Sequence, residues 1–218
     1  MNTLLLIAYL TELLCAVGAT LYYKKIKEAN LKFFVVYLWY VFINEMVIIY
    51  LKQAGLLNFQ LVNLYSFITV NYVLWITYKK IDIDKLKSTS ITLFFLSLLI
   101  FIIEFIYKGS YEVWLVSKTL GPLICVISFS LYISNQFQSN ITTNPFRQLF
   151  TYFLLGFALF FVASPVILVA RTFYVSEDST SLGLSYLMAI VVILMYSIFS
   201  LGFIISTKEA SSSEFENK

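Results

Sequence analysis

Four ionisable side chains stand inside long apolar stretches of the chain: Glu12, Glu45, Glu104 and Lys118. A charge at the centre of a membrane-spanning helix costs about 2.5–3.5 kcal/mol on insertion scales, less toward the interface. Such groups therefore face protein or a hydrated cavity, and they mark ligand, ion or proton sites. Three carboxylates and one ammonium in one layer predict an ion pair, most simply Lys118 with Glu104 or Glu45. Arg171 closes the sixth apolar stretch on the same side, and Asn44 and Asn71 add amides to the second and third. Glu12, Glu45, Glu104, Lys118, Asn44, Asn71 and Arg171 are expected to surround a pocket for a small molecule or an ion.

Other chemistry has little support. The chain lacks histidine, which removes His-based triads, histidine-ligated zinc and haem, and imidazole pH sensing. It also lacks H-E-x-x-H, G-x-S-x-G and a glycine-rich phosphate loop. No catalytic residue, metal or cofactor is expected, and the chain is not read as an enzyme. Asp82-Ile83-Asp84 sits among four lysines, a poor cage for a divalent cation. Cys15 and Cys125 fall within apolar stretches and are expected to be packed free thiols.

The elements that hold these residues follow from composition. Of 218 residues, 60% are hydrophobic and only 12% charged, too little polar surface for a soluble domain, which carries about a quarter charged residues. Each spanning helix needs roughly 20 apolar residues, and seven stretches qualify: 3–23, 33–51, 58–78, 89–107, 112–134, 147–170 and 182–206. Lipid cannot satisfy an open strand edge, and barrel alternation is missing, so all seven are read as helices. The fold class is an all-α, polytopic seven-helix bundle over 1–207, followed by a Ser- and Glu-rich tail at 208–218 that is expected to be disordered and cytoplasmic. The first stretch has no basic residue before it, unlike a secretory signal, and is expected to be retained.

Cations set the expected orientation. Lys24, Lys25, Lys27, Lys32, Lys79, Lys80, Lys85, Lys87, Arg147, Lys208 and Lys218 lie on one side, against Lys52, Lys108 and Arg171 on the other. The positive-inside rule then places the N-terminus outside and the C-terminus in the cytoplasm. The low-Arg, Lys- and Ile-rich usage suggests a bacterial inner membrane. The eight lysines of the first side up to Lys87, Lys52 excluded, are expected to meet anionic lipid headgroups or an acidic cytoplasmic protein; nucleic acid is not expected as a partner. Tyr23-Lys24-Lys25-Ile26 recurs as Tyr78-Lys79-Lys80-Ile81, which interfacial tyrosines followed by lysines explain better than duplication does.

Helical spacing predicts the buried faces. Ala8, Glu12, Ala16 and Ala19 share a stripe, with Cys15 beside it; Ser90, Ser97 and Glu104 repeat every seven residues, as do Gly156, Ala163 and Ala170. Pro122 and Pro165 fall inside spans and are expected to kink them, widening the outer mouth next to Lys118. Seven helices with an outside N-terminus resemble the architecture of receptors and rhodopsins. A retinal protein, however, needs a lysine in the middle of the last span, and 182–206 has none. The expected function is a membrane sensor or receptor-like bundle that signals through a separate cytoplasmic protein. The alternative is a small transporter or channel subunit using the intramembrane carboxylates for proton or ion coupling.

Overall fold

The computed structural model describes residues 3–56, 59–138, 145–173 and 178–206; the tail expected at 208–218 lies outside them. The described residues form eight α-helices: α1 (Thr3–Leu21), α2 (Tyr23–Glu28), α3 (Lys32–Gln53), α4 (Phe59–Lys79), α5 (Asp84–Lys108), α6 (Leu115–Gln138), α7 (Leu149–Phe173) and α8 (Asp178–Ile205). All but the short α2 are long and apolar enough to cross a membrane. The burial pattern is that of a chain dissolved in lipid. Leu14, Val36, Ile106, Val166 and Ile204 are exposed, whereas Glu12, Asn44, Asn63, Thr69 and Ser117 are buried. In hydrocarbon the polar groups must find their partners inside, so the sorting runs opposite to that of a soluble domain. The chain is a multi-pass membrane protein.

Packing follows a ring, α1–α3–α4–α6–α7–α8 and back to α1, with α5 outside it against α4 and α6. Consistent with that place, α5 is the least buried of the spanning helices. One end of the bundle, called here the lysine-rich end, carries the α1–α3 and α4–α5 connections. The half of the ring interior nearest that end is filled by aromatic rings. Phe34 meets Phe153 at 4.9 Å and Phe199 at 5.2 Å, and Phe157 meets Phe153 at 4.7 Å and Phe199 at 5.1 Å between ring centroids. Edge-on and tilted contacts of this kind add about 0.5–1.5 kcal/mol per pair beyond burial.

Close approach between α7 and α8 depends on glycine. A Cβ on Gly156 would collide with the Phe199 ring, and one on Gly202 would lie 2.6 Å from Tyr152 Cβ. The expected stripe on α1 is buried as a unit: Ala8, Glu12, Cys15, Ala16 and Ala19. Ser90 and Ser97 on α5 are buried too, but their hydroxyls have no hydrogen-bond partner. They act as small side chains that admit a neighbouring helix.

Several ends differ from the sequence expectation. Between the first two spans, α2 ends in a turn with Asn30 at φ 55°, Leu31 N–H donating to Ile26 O and Asn30 N–H to Lys27 O. This 6→1 and 5→2 pattern closes a helix with its flanking apolar residues in contact, and Ile26 and Leu31 are both buried. Gly55 (φ 74°) ends α3 the same way, with Leu56 N–H donating to Leu51 O. Lys85 and Lys87, expected in a connection, form the first turn of α5, because charge does not oppose a helix outside hydrocarbon. Helices α6 and α7 run through Pro122 and Pro165 without interruption.

Candidate functional site

The structure divides the expected site residues among three places. Glu45 on α3, Lys118 on α6 and Arg171 on α7 line one cavity of about 350 Å³, in the half of the bundle away from the lysine-rich end. Tyr65, Ser66 and Thr69 of α4 also line it. Both proline segments form part of its wall, through Pro122 on α6 and Ser164, next to Pro165, on α7. The rest of the wall is mostly apolar, including Phe160, Ile167, Leu168 and Met188.

No ion pair joins Glu45 to Lys118 or Arg171 among the described residues. Arg171 is held from its far side, where Nη2 donates to Ser185 Oγ on α8 at 3.0 Å, while its buried Nε has no partner. Two cations, one carboxylate and an apolar wall form a lining with one net positive charge. Such a lining can hold a small molecule with an anionic head and an apolar body, with Glu45 free to take an amine or hydroxyl. At this volume the cavity falls in the range of small-molecule sites, about 300–1,000 Å³.

Glu104 does not line this cavity; it binds the first turn of α6, beside Lys118. Its carboxylate accepts hydrogen bonds from Val116 N–H (3.1 Å), Ser117 N–H (2.7 Å) and Ser117 Oγ (2.6 Å), and pairs with Lys108 Nζ at 3.1 Å. The expected partner, Lys118, is replaced by a lysine one turn along the same helix. That pair has the i,i+4 spacing of an ordinary helix ion pair. The short connection after Lys108 folds α6 back so that its first turn presents unpaired N–H groups to α5, and a carboxylate satisfies them. Asn63 completes this end by donating to Glu112 O at 2.7 Å and accepting from Trp114 N–H at 3.2 Å.

The opposite end of the same helix pair is tied in reverse. Asn135 on α6 accepts Asp82 N–H at 3.1 Å and Ile83 N–H at 3.0 Å, just ahead of α5. Neither clasp was singled out from sequence. The available signal at the first was the absence of Ser, Thr, Asp or Asn at Trp114 and of an acid in the first turn of α6. A helix start without its own cap needs one from outside.

Glu12, Asn44 and Asn71 are buried but do not line the cavity. Glu12 Oε1 has no hydrogen-bond partner; its carboxyl lies within reach of Tyr196 on α8 and interacts electrostatically with Glu45. Asn71 Nδ2 donates to Phe67 O in its own helix, and Asn44 Nδ2 has no partner. A hydroxyl link leads inward from the cavity, Tyr37 OH to Thr69 Oγ1 at 3.2 Å. A larger cavity of about 560 Å³ lies between α4 and α5, but its wall is apolar apart from Gln60, Asn63 and Ser110. Asn63 there is engaged by the connection, and Gln60 Nε2 donates to Ser110 Oγ.

Among the eight lysines expected to meet lipid or a partner, Lys25 is used internally. Its Nζ donates to Phe203 O at 2.8 Å and Ile204 O at 3.4 Å, capping the end of α8, and burial holds its pKa below the usual lysine value. No protein-family model, curated protein or solved structure matches the chain.

Proposed function

We propose that the protein is a receptor-like sensor of a bacterial cytoplasmic membrane. Its N-terminus is outside, and its cavity reads a small amphipathic molecule with an anionic or zwitterionic head. The orientation rests on the asymmetry of lysines between the two faces. The observation that carries the functional reading is the meeting of Glu45, Lys118 and Arg171 around one cavity without an ion pair among them. Charges held in an apolar wall and not neutralised by each other favour a ligand that supplies the counter-charge. Helix α6 places Pro122 in this wall and α7 places Ser164 there, next to Pro165, so they are the elements whose packing a ligand would bias. The lysine-rich face is then the output surface, read by a separate cytoplasmic protein.

The second reading, a proton- or ion-coupled transporter, is favoured by Glu12, a mid-span carboxyl with an unpartnered oxygen. Against it stand the packed aromatic rings between the cavity and the lysine-rich end. Reconstitution separates the two. In proteoliposomes loaded with a pH-sensitive dye, a sensor supports neither uptake of labelled small carboxylates or amino acids nor dissipation of an imposed pH gradient. Uptake that depends on the gradient and disappears in Glu12→Gln would establish transport instead.

A further inference from the structure

We infer that the lysine-rich end holds a specific site for an anionic membrane lipid whose headgroup carries two phosphates. Lys27, Lys32, Lys79 and Lys80 line one cleft of about 460 Å³ between α2, the start of α3 and the end of α4, and among the described residues lining it none is a carboxylate. The cleft is built by specific contacts. The turn at Asn30 folds the chain back, bringing Lys27 onto the same side as Lys32, and the buried Ile26 and Leu31 fix that turn. Across the cleft, Lys79 Nζ sits 3.9 Å from the centroid of Trp75, and Lys32 Nζ 5.0 Å from that of Phe33. The two rings meet at 5.9 Å, so the ammonium groups they carry flank one place.

Lys27, Lys32 and Lys79 so gathered repel one another, and a multiply charged anion offsets that cost where a single phosphate leaves part of it. Depth selects a lipid over a free anion. Lys32 begins one spanning helix and Lys79 ends another, which puts the cleft where hydrocarbon gives way to headgroups. Phe33 is half exposed beside it, apolar surface suited to the glycerol and upper acyl chain. The site is independent of the cavity at the other end and of the sensor reading.

The test is native mass spectrometry of the purified chain in detergent, titrated separately with cardiolipin, phosphatidylglycerol and phosphatidylcholine, with inorganic pyrophosphate as competitor. Cardiolipin is expected to saturate at one molecule per chain and to outlast phosphatidylglycerol at equal total charge. In the variant Lys27→Gln, Lys32→Gln, Lys79→Gln, Lys80→Gln retention is expected to fall about tenfold or more, against about twofold or less in Lys85→Gln, Lys87→Gln, whose lysines lie outside the cleft. Equal losses in the two variants, or displacement of cardiolipin by pyrophosphate, would overturn the assignment. Should the fourfold variant not fold, the wild-type titration decides: binding without saturation, or without preference for the diphosphate lipid, would overturn it equally.

Discussion

Glu104 and Lys118 present one problem to a reader of the sequence, since each is a charge inside an apolar run and each invites pairing with the other. They form no salt bridge, although Glu104 binds the N–H of Ser117, the residue before Lys118. Glu104 spends its oxygens on the first turn of α6 and on Lys108, whereas Lys118 lines the cavity with Glu45 and Arg171. Their substitutions should therefore diverge. Glu104→Ala leaves two helix-start N–H groups and the buried Ser117 hydroxyl without their acceptor and should cost about 1–3 kcal/mol of stability. That is measurable as unfolding in detergent, and cavity binding should survive in whatever folds. Lys118→Met removes a desolvated charge and should leave stability within about 1 kcal/mol of wild type, or raise it, while abolishing binding. The Glu104–Lys108 pair was readable from its i,i+4 spacing, whereas the hydrogen bonds from Val116 and Ser117 were not, because they follow from the chain reversal after Lys108.

Helix α5 stands outside the ring, and its attachment uses polar groups at both ends: Glu104 reaches into the start of α6, and Asn135 of α6 reaches the segment ahead of α5. The spans themselves were readable from composition, and so was the buried stripe of α1, because hydrocarbon sorts side chains by polarity along a helix. Helix α2 and the two clasps were not, since they depend on which helices become neighbours. Glycine at the α7–α8 contact makes a sharper case. Gly156→Ala should push the Phe199 ring away and destabilise by about 1–3 kcal/mol, the usual cost of overpacking. Phe199→Leu in the same chain should recover part of that loss, and thermal unfolding of the two variants measures the coupling.

Taken whole, the bundle has two unlike halves: aromatic rings fill the ring interior toward the lysine-rich end, and a charged cavity occupies the other half. A sensor needs this division, with a ligand seat at one face, a closed body, and a cationic surface at the other. The proposed orientation gives a direct prediction in whole cells. Ala54→Cys should react with a membrane-impermeant maleimide, and Asp82→Cys only after the membrane is opened; the native Cys15 and Cys125 are buried and stay silent. The reverse pattern would place the cavity on the cytoplasmic side.

The most direct measurement is the unfolding midpoint of the purified protein against a panel of small carboxylates, amino acids and short-chain fatty acids, with wild type and Lys118→Met side by side. At a ligand concentration about 100 times its dissociation constant, binding to the folded state adds about 2.7 kcal/mol. The wild-type midpoint should therefore rise for at least one member of the panel and that of Lys118→Met should not. Equal rises in both proteins, or no rise in either across the panel, would contradict a ligand seat built on Glu45, Lys118 and Arg171.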